Sequence, residues 1–351
     1  MAVVYGLRSR DAAGAITLGT TITPIRSLKM MQVTGNGALD QYISIPEIQA
    51  ASFVVVDTLA DGGTNTYSPQ AWYSQGQLQL RRPMTAQWQV MILSQGGEPF
   101  QAPGSYGIRV SNNNVRTQID AINRVLAVRF NGNMNLGLQG AGSGNFIQWG
   151  EVVFPAPVTT YERPLIFFNA ADYMMIGNFY VRGSPGNWTG FRIKAFPSTQ
   201  AHGSAGNNPM YIKWFCASYM SPNVPGDTYG VSVKDAGANR IFSTSANLSL
   251  LNSQPSINSF ATAGTAITGV SYYASPSQMA WTGSFEDYVL GNALFSSTNV
   301  GQTAQPFRAN FGGFLPGRRD VLQMYCENFD GINPLTVNGR TLFASRPMKP
   351  L

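Results

Sequence analysis

The sequence predicts an all-β protein of three tandem antiparallel β-sandwich-like domains related by an internal repeat. Three observations predict it. Charged residues make up 11% of the chain and aromatics 12%, against about 25% charged in an ordinary globular protein. Glu and Lys are scarce, and no segment keeps a helical period over a dozen residues. Three stretches open alike: Tyr5-Gly6-Leu7-Arg8, Tyr106-Gly107-Ile108-Arg109 and Tyr229-Gly230-Val231-Ser232. Three alternating strands close alike: Gln87 to Ser94, Tyr211 to Ser218 and Val321 to Asn328. Gln89 lies 17 residues before Tyr106, and Lys213 lies 16 before Tyr229. A kept phase between one close and the next opening marks a repeated unit, and stacked units build an elongated body rather than a catalytic pocket.

The 351 residues are too many for one comfortable core. The boundaries read as a first unit at 1–96, a second at 97–222, a third at 223–335 and a short tail at 336–351. Pro99 with Pro103, and Pro222 with Pro225, mark the two linkers.

In chain order, Val3 to Arg8 and Ile16-Thr17-Leu18 flank a turn at Ala12-Ala13-Gly14. Ile25 to Val33 follows and ends at Gly35-Asn36-Gly37. Tyr42 to Ile45 and Gln77 to Arg81 alternate, as half-buried strands do. Phe53-Val54-Val55-Val56 is continuously apolar and reads as buried on both faces. The second unit has strands at Val125 to Phe130, Trp149 to Phe154, Leu165 to Phe168 and Phe191 to Phe196, with a Gly-rich tip from Gly132 to Gly144. The third has long Ser/Asn-rich connections around Leu251 to Gly269 and Phe295 to Gly317. Trp72, Trp188 and Trp281 each precede a closing strand, at unequal distances, and read as core.

No catalytic, cofactor or metal site is expected. His202 is the sole histidine and sits in a loop of small polar residues, so no Ser-His-Asp or zinc arrangement is available. Asp57-x-x-x-Asp61 is the nearest calcium candidate, but it lacks ligand density. Gly137 to Gly144 has no following Lys-Ser/Thr and no helix, so it is no phosphate cradle. Glu151 with Glu162 and Glu286 with Asp287 are the carboxylate pairs to weigh for glycoside hydrolysis, and nothing else supports either. Cys216 and Cys326 hold matching places in two closing strands where the first unit has Ile92, so both read as buried free thiols. Of the aromatic pairs Trp72-Tyr73, Phe179-Tyr180 and Tyr272-Tyr273, the last sits in a Ser/Pro-rich setting. Tyr272 and Tyr273 are therefore the candidate receptor or partner contact.

The net charge of +6 is thinly spread, which argues against nucleic acid as a partner. Eighteen Arg against five Lys suit a chain with much of its surface in subunit contacts, and a GC-rich coding sequence gives the same skew. No apolar run nears the ~20 residues of a membrane span. No secretory leader is visible at the N-terminus.

The stretch Tyr5-Gly6-Leu7-Arg8-Ser9-Arg10-Asp11-Ala12-Ala13-Gly14-Ala15-Ile16-Thr17-Leu18 resembles the start of tail-tip and tail-fibre proteins of long-tailed bacteriophages. Arg163 to Phe168 and Trp188-Thr189-Gly190-Phe191 look like features of the same family. The resemblance covers the first unit well and the others patchily. It implies a virion structural protein of the tail, made in the host cytoplasm, that contributes to host attachment. Its partners would be other tail proteins, further copies in a trimer or related symmetry, and a host surface receptor. A carbohydrate-binding adhesin, a capsid or capsid-decorating protein and a depolymerase are the competing readings. The longer loops of the later units place them outward, with the first unit docking to the particle.

Overall fold

The computed structural model describes residues 9–10, 16–18, 24–58, 67–68, 70–81, 85–94, 107–111, 116–136, 149–195, 210–221, 230–251, 261–262, 267–269, 272–280, 287–294, 297–299, 307–315, 317–328 and 343–345. For part of these, chiefly beyond residue 251, it describes the backbone alone. The described chain is almost wholly β-strand, with one four-residue helical turn at Gly291–Leu294.

Residues 27–93 hold six main strands: Ser27–Thr34, Asp40–Ser44, Phe53–Thr58, Gln70–Ser74, Gln77–Arg81 and Gln87–Leu93. The sixth runs between the first and third in one antiparallel sheet, and the fifth between the second and fourth in another. Residues 127–218 follow the same order with Ala127–Leu136, Trp149–Val158, Leu165–Ala170, Met174–Ser184, Asn187–Ala195 and Met210–Ser218. Residues 250–345 follow it again with Leu250–Leu251, Tyr272–Ala280, Asp287–Leu290, Phe307–Leu315, Arg318–Asn328 and Phe343–Ser345. A hairpin precedes each set: Ser9–Arg10 with Ile16–Leu18, Gly107–Ser111 with Arg116–Asp120, and Ser232–Lys234 with Arg240–Ser243. The three Tyr-Gly openings lead into these hairpins.

Strand pairing departs from the expected boundaries. Leu165–Ala170 pairs with Asp287–Leu290, and Met174–Ser184 pairs with Phe307–Leu315. Residues 97–222 and 223–335 therefore share a six-stranded sheet and a larger one, and are not two separate sandwiches. Two three-stranded sheets have four open edges, and edge-to-edge pairing covers two of them in each of these sets. The expected tail, 336–351, supplies Phe343–Ser345, which lies between Asp287–Leu290 and Leu250–Leu251. Arg318–Asn328 is thus a fifth strand, not a sixth. Its likeness to the other two closing strands comes from a shared environment: all three are central strands with a neighbour on each side. The connection expected around Phe295 to Gly317 contains Ser297–Asn299 and Phe307–Leu315. The Gly-rich tip begins later than expected, since Gly132 to Leu136 continue a strand.

The sheets stack in four layers. Val54, Val56, Val90 and Ile92 pack toward Leu78 and Leu80 of the outermost three-stranded sheet. Phe53, Val55, Met91 and Leu93, on the opposite face of the same strands, pack on Leu165, Phe167, Phe215 and Leu290. Ile166, Phe168, Ile212 and Trp214 then face Phe154, Val181, Phe191 and Phe314 of the large sheet. Side chains alternate across a strand, so the run Phe53 to Val56 feeds two cores, and so does Leu165 to Phe168. That is why both runs are continuously apolar, as expected for the first.

At the seam, Gly313 has φ +150° and its backbone pairs with Met175. A Cβ there would collide with the Met174 carbonyl oxygen. Only glycine lets the two backbones approach so closely.

Candidate functional site

Three segments that enter the first strands meet at one joint. The Ile25 amide donates to the Ser249 carbonyl at 2.9 Å, Ser249 donates to Leu126 at 2.8 Å, and Leu126 donates back to Ile25 at 2.8 Å. Around this ring the bridges Pro24 with Leu250, Arg26 with Val125, and Ala127 with Leu248 follow the same rule. In each, the residue after one ring member faces the residue before the next. The joint is a local cyclic three-fold made by one chain. Beside it Ile119, Val233, Ile241 and Phe242 of the hairpins pack with Val125 and Leu248, and Arg124 lies 3.6 Å from the Asp235 carboxylate.

A buried polar network lies where the layers meet. The Arg163 guanidinium donates to Asp57 Oδ1 at 2.9 Å, with both side chains nearly sealed from solvent. The Arg163 amide donates to Gln89 Oε1 at 2.8 Å. Asn292 donates to the Pro164 carbonyl at 3.1 Å and to Asp57 Oδ2 at 3.4 Å, and accepts from the Ile166 amide at 2.8 Å. Arg163 also lies 5.1 Å over the Trp188 ring, whose indole N–H donates to the Thr160 carbonyl. Residues from all three sets of strands are thereby pinned together. A charge buried this deeply persists because each partner is hydrogen-bonded. Pro164 ends a run that leads straight into the apolar strand, so Arg163 is the last polar residue before full burial. That placement was the only sequence signal, and it marks no partner 106 residues away.

Most residues weighed for chemistry have structural roles. Asp57, the calcium candidate, is occupied by Arg163 and Asn292, and Asp61 lies outside the described residues. Glu151 is exposed on an edge strand and pairs with Arg182. Asp287 is buried and its backbone carbonyl accepts from Asn169 at 2.7 Å; Glu286 lies outside the described residues, as does His202. Phe179 and Tyr180 are both core. Cys216 is a free, buried thiol whose pKa burial pushes up, with the nearby Arg129 charge pulling it down more weakly. Cys326 is in the large sheet and Cys216 in the six-stranded one, so their expected equivalence does not hold. Among the described residues no three His, Cys, Asp or Glu side chains cluster as metal ligands. No described helix is long and apolar enough to cross a membrane.

The Tyr272 and Tyr273 backbones begin a strand and pair with Gly269 and Thr268. Their side chains lie outside the described residues. The described aromatics that do face solvent were not singled out in sequence as contacts: Tyr42 at 60%, Tyr211 at 59% and Tyr161 at 53% exposure. Tyr42 alternates with Ile43, so its exposure was legible in the period-two pattern had the outer face been known. No protein-family model matches the chain, and neither the curated proteins nor the solved structures contain a match to it.

Proposed function

We propose that this chain is a virion structural protein of a bacteriophage tail tip or tail fibre, built from three copies of one six-stranded sandwich and contributing to host attachment. The observation that carries the structural half of this reading is the strand order. First-sixth-third and second-fifth-fourth recur three times, and the copies are welded by shared sheets, a three-way joint and a buried ion pair. Such a body transmits load and presents surface. The tail assignment itself rests on the resemblance of Tyr5 to Leu18.

The chain associates with other tail proteins and with its own copies in three-fold or related symmetry, in the virion, after synthesis in the host cytoplasm. Tyr272 and Tyr273 are the contact candidates of the third copy. Imaging virions with antibody to the chain tests the placement: label at the distal tail is expected, and label on the head, or none, overturns it. Light scattering tests self-association against the 38.0 kDa of one chain.

A further inference from the structure

The outermost three-stranded sheet, Asp40–Ser44, Gln77–Arg81 and Gln70–Ser74, buries one face and leaves the other to solvent. Ile43, Leu78, Leu80, Ala71 and Tyr73 point inward. The register then sets the opposite face row by row. Tyr42 pairs with Gln79, and Gln79 with Trp72. Ser44 pairs with Gln77, and Gln77 with Ser74. An exposed Tyr, a half-buried Gln and a half-buried Trp thus form one straight row across three strands. Adjacent strands lie about 4.8 Å apart, which sets the two rings roughly 10 Å from each other. That is the reach from one sugar to the next but one along an extended glycan.

The charge on this face is balanced. Asp40 and Arg81 pair in register, Gln79 Nε2 donates to Asp40 Oδ1 at 3.1 Å, and the remaining outward residues are Ser and Gln. A neutral polyhydroxyl ligand matches such a surface. Sugar C–H faces stack on aromatic rings, while amide and hydroxyl groups meet the sugar hydroxyls. The second copy supplies an internal control. Its corresponding sheet places Glu151, Arg192 and Tyr180 in one row, with Tyr180 buried, and adds Arg182 and Lys194 nearby. The strand order therefore does not demand outward aromatics.

We infer that the outer face of this sheet binds a neutral polysaccharide chain laid across the strands, with Tyr42 and Trp72 stacking on alternate sugars and Gln79 hydrogen-bonding between them. As a receptor site this rests on the virion reading, and it moves the contact to the first unit, which the sequence had assigned to docking. The binding itself is measured without virions.

The test is affinity electrophoresis of the purified full chain in gels holding dextran, mixed-linkage β-glucan, galactomannan or polygalacturonate. Retardation by at least one neutral glycan and not by polygalacturonate is expected. Tyr42→Ala and Trp72→Ala should each weaken binding at least tenfold and Gln79→Ala several-fold. Tyr211→Ala, an exposed tyrosine on another sheet, should change nothing. The far-ultraviolet circular dichroism of each variant reports that it is folded. Binding to none of the neutral glycans overturns the inference, as does binding preserved in the folded Tyr42→Ala/Trp72→Ala double variant. A chain that self-associates through this face, becoming monomeric in the double variant without glycan binding, also overturns it. Virion imaging is unaffected by any of these outcomes, so failure here leaves the tail reading standing.

Discussion

Single residues hold this molecule together where charge is buried. Asp57 and Arg163 attract one another where both side chains are almost sealed from solvent. Asp57→Ala or Arg163→Met should therefore each cost about 3–5 kcal/mol, read by denaturant unfolding. The double variant Asp57→Leu/Arg163→Met should recover much of that loss, because no unpaired charge remains. Asp120 carries a pH signature. Burial pushes its carboxyl up, but hydrogen bonds from the Asn123 amide, Gln118, the Ile122 amide and the Asn123 side chain outweigh this and leave it below its ordinary 3.8. A carboxyl lowered on folding adds stability above the unfolded-state pKa and loses it as pH falls through the folded one. The stability gap between the wild type and Asp120→Asn should be full at neutral pH and close in acid below about pH 4. Equal gaps at pH 7 and pH 3 would contradict the assigned bonds. Cys216, sealed and with a raised thiol pKa, should stay unlabelled by thiol reagents until the protein unfolds, as read by peptide mapping.

At the scale of elements, the seams matter more than the strands themselves. Met174–Ser184 meets Phe307–Leu315 through Gly313. Gly313→Ala puts a methyl into the Met174 carbonyl and asks an L-residue for a left-handed backbone. It should lower the thermal midpoint by several degrees, more than Gly76→Ala, where the glycine also has positive φ but open space around it. The comparison separates steric collision from backbone strain. Phe343–Ser345 is short, yet it fills the central place between Asp287–Leu290 and Leu250–Leu251. Removing 336–351 should therefore yield an aggregating or poorly folded chain, measured by gel filtration. Normal behaviour of that truncation would show that this strand contributes little.

For the whole molecule, stacking decides cooperativity. Each inner sheet has a core on both faces, so no set of strands is complete without its neighbour. Deleting 225–351, the obvious way to separate docking from outward-facing parts, would uncover Leu165–Ala170 and Met174–Ser184 along their edges. That deletion should misfold rather than leave a working fragment. Limited proteolysis of the intact chain should likewise give no stable piece ending near residue 222, the boundary the sequence suggested.

Much was legible before folding. The all-β class followed from few helix formers and many turn residues, and Phe53 to Val56 announced a strand buried twice. The phase from Gln89 to Tyr106 and from Lys213 to Tyr229 falls on like places in the strand order: both closes are sixth strands and both openings precede hairpins. Local pattern suffices there because side-chain alternation and turn chemistry act over a few residues. Pairing between distant edges has no such local signature. Phe307–Leu315 was hidden by Gly312 and Gly313, the residues that let it close the seam. Arg163 found Asp57 106 positions away, and Tyr42 aligned with Trp72 only through Gln79 on the strand between them. Which strands share a sheet depends on the combined edges and faces of the assembled chain, so those contacts came into being only when the layers met.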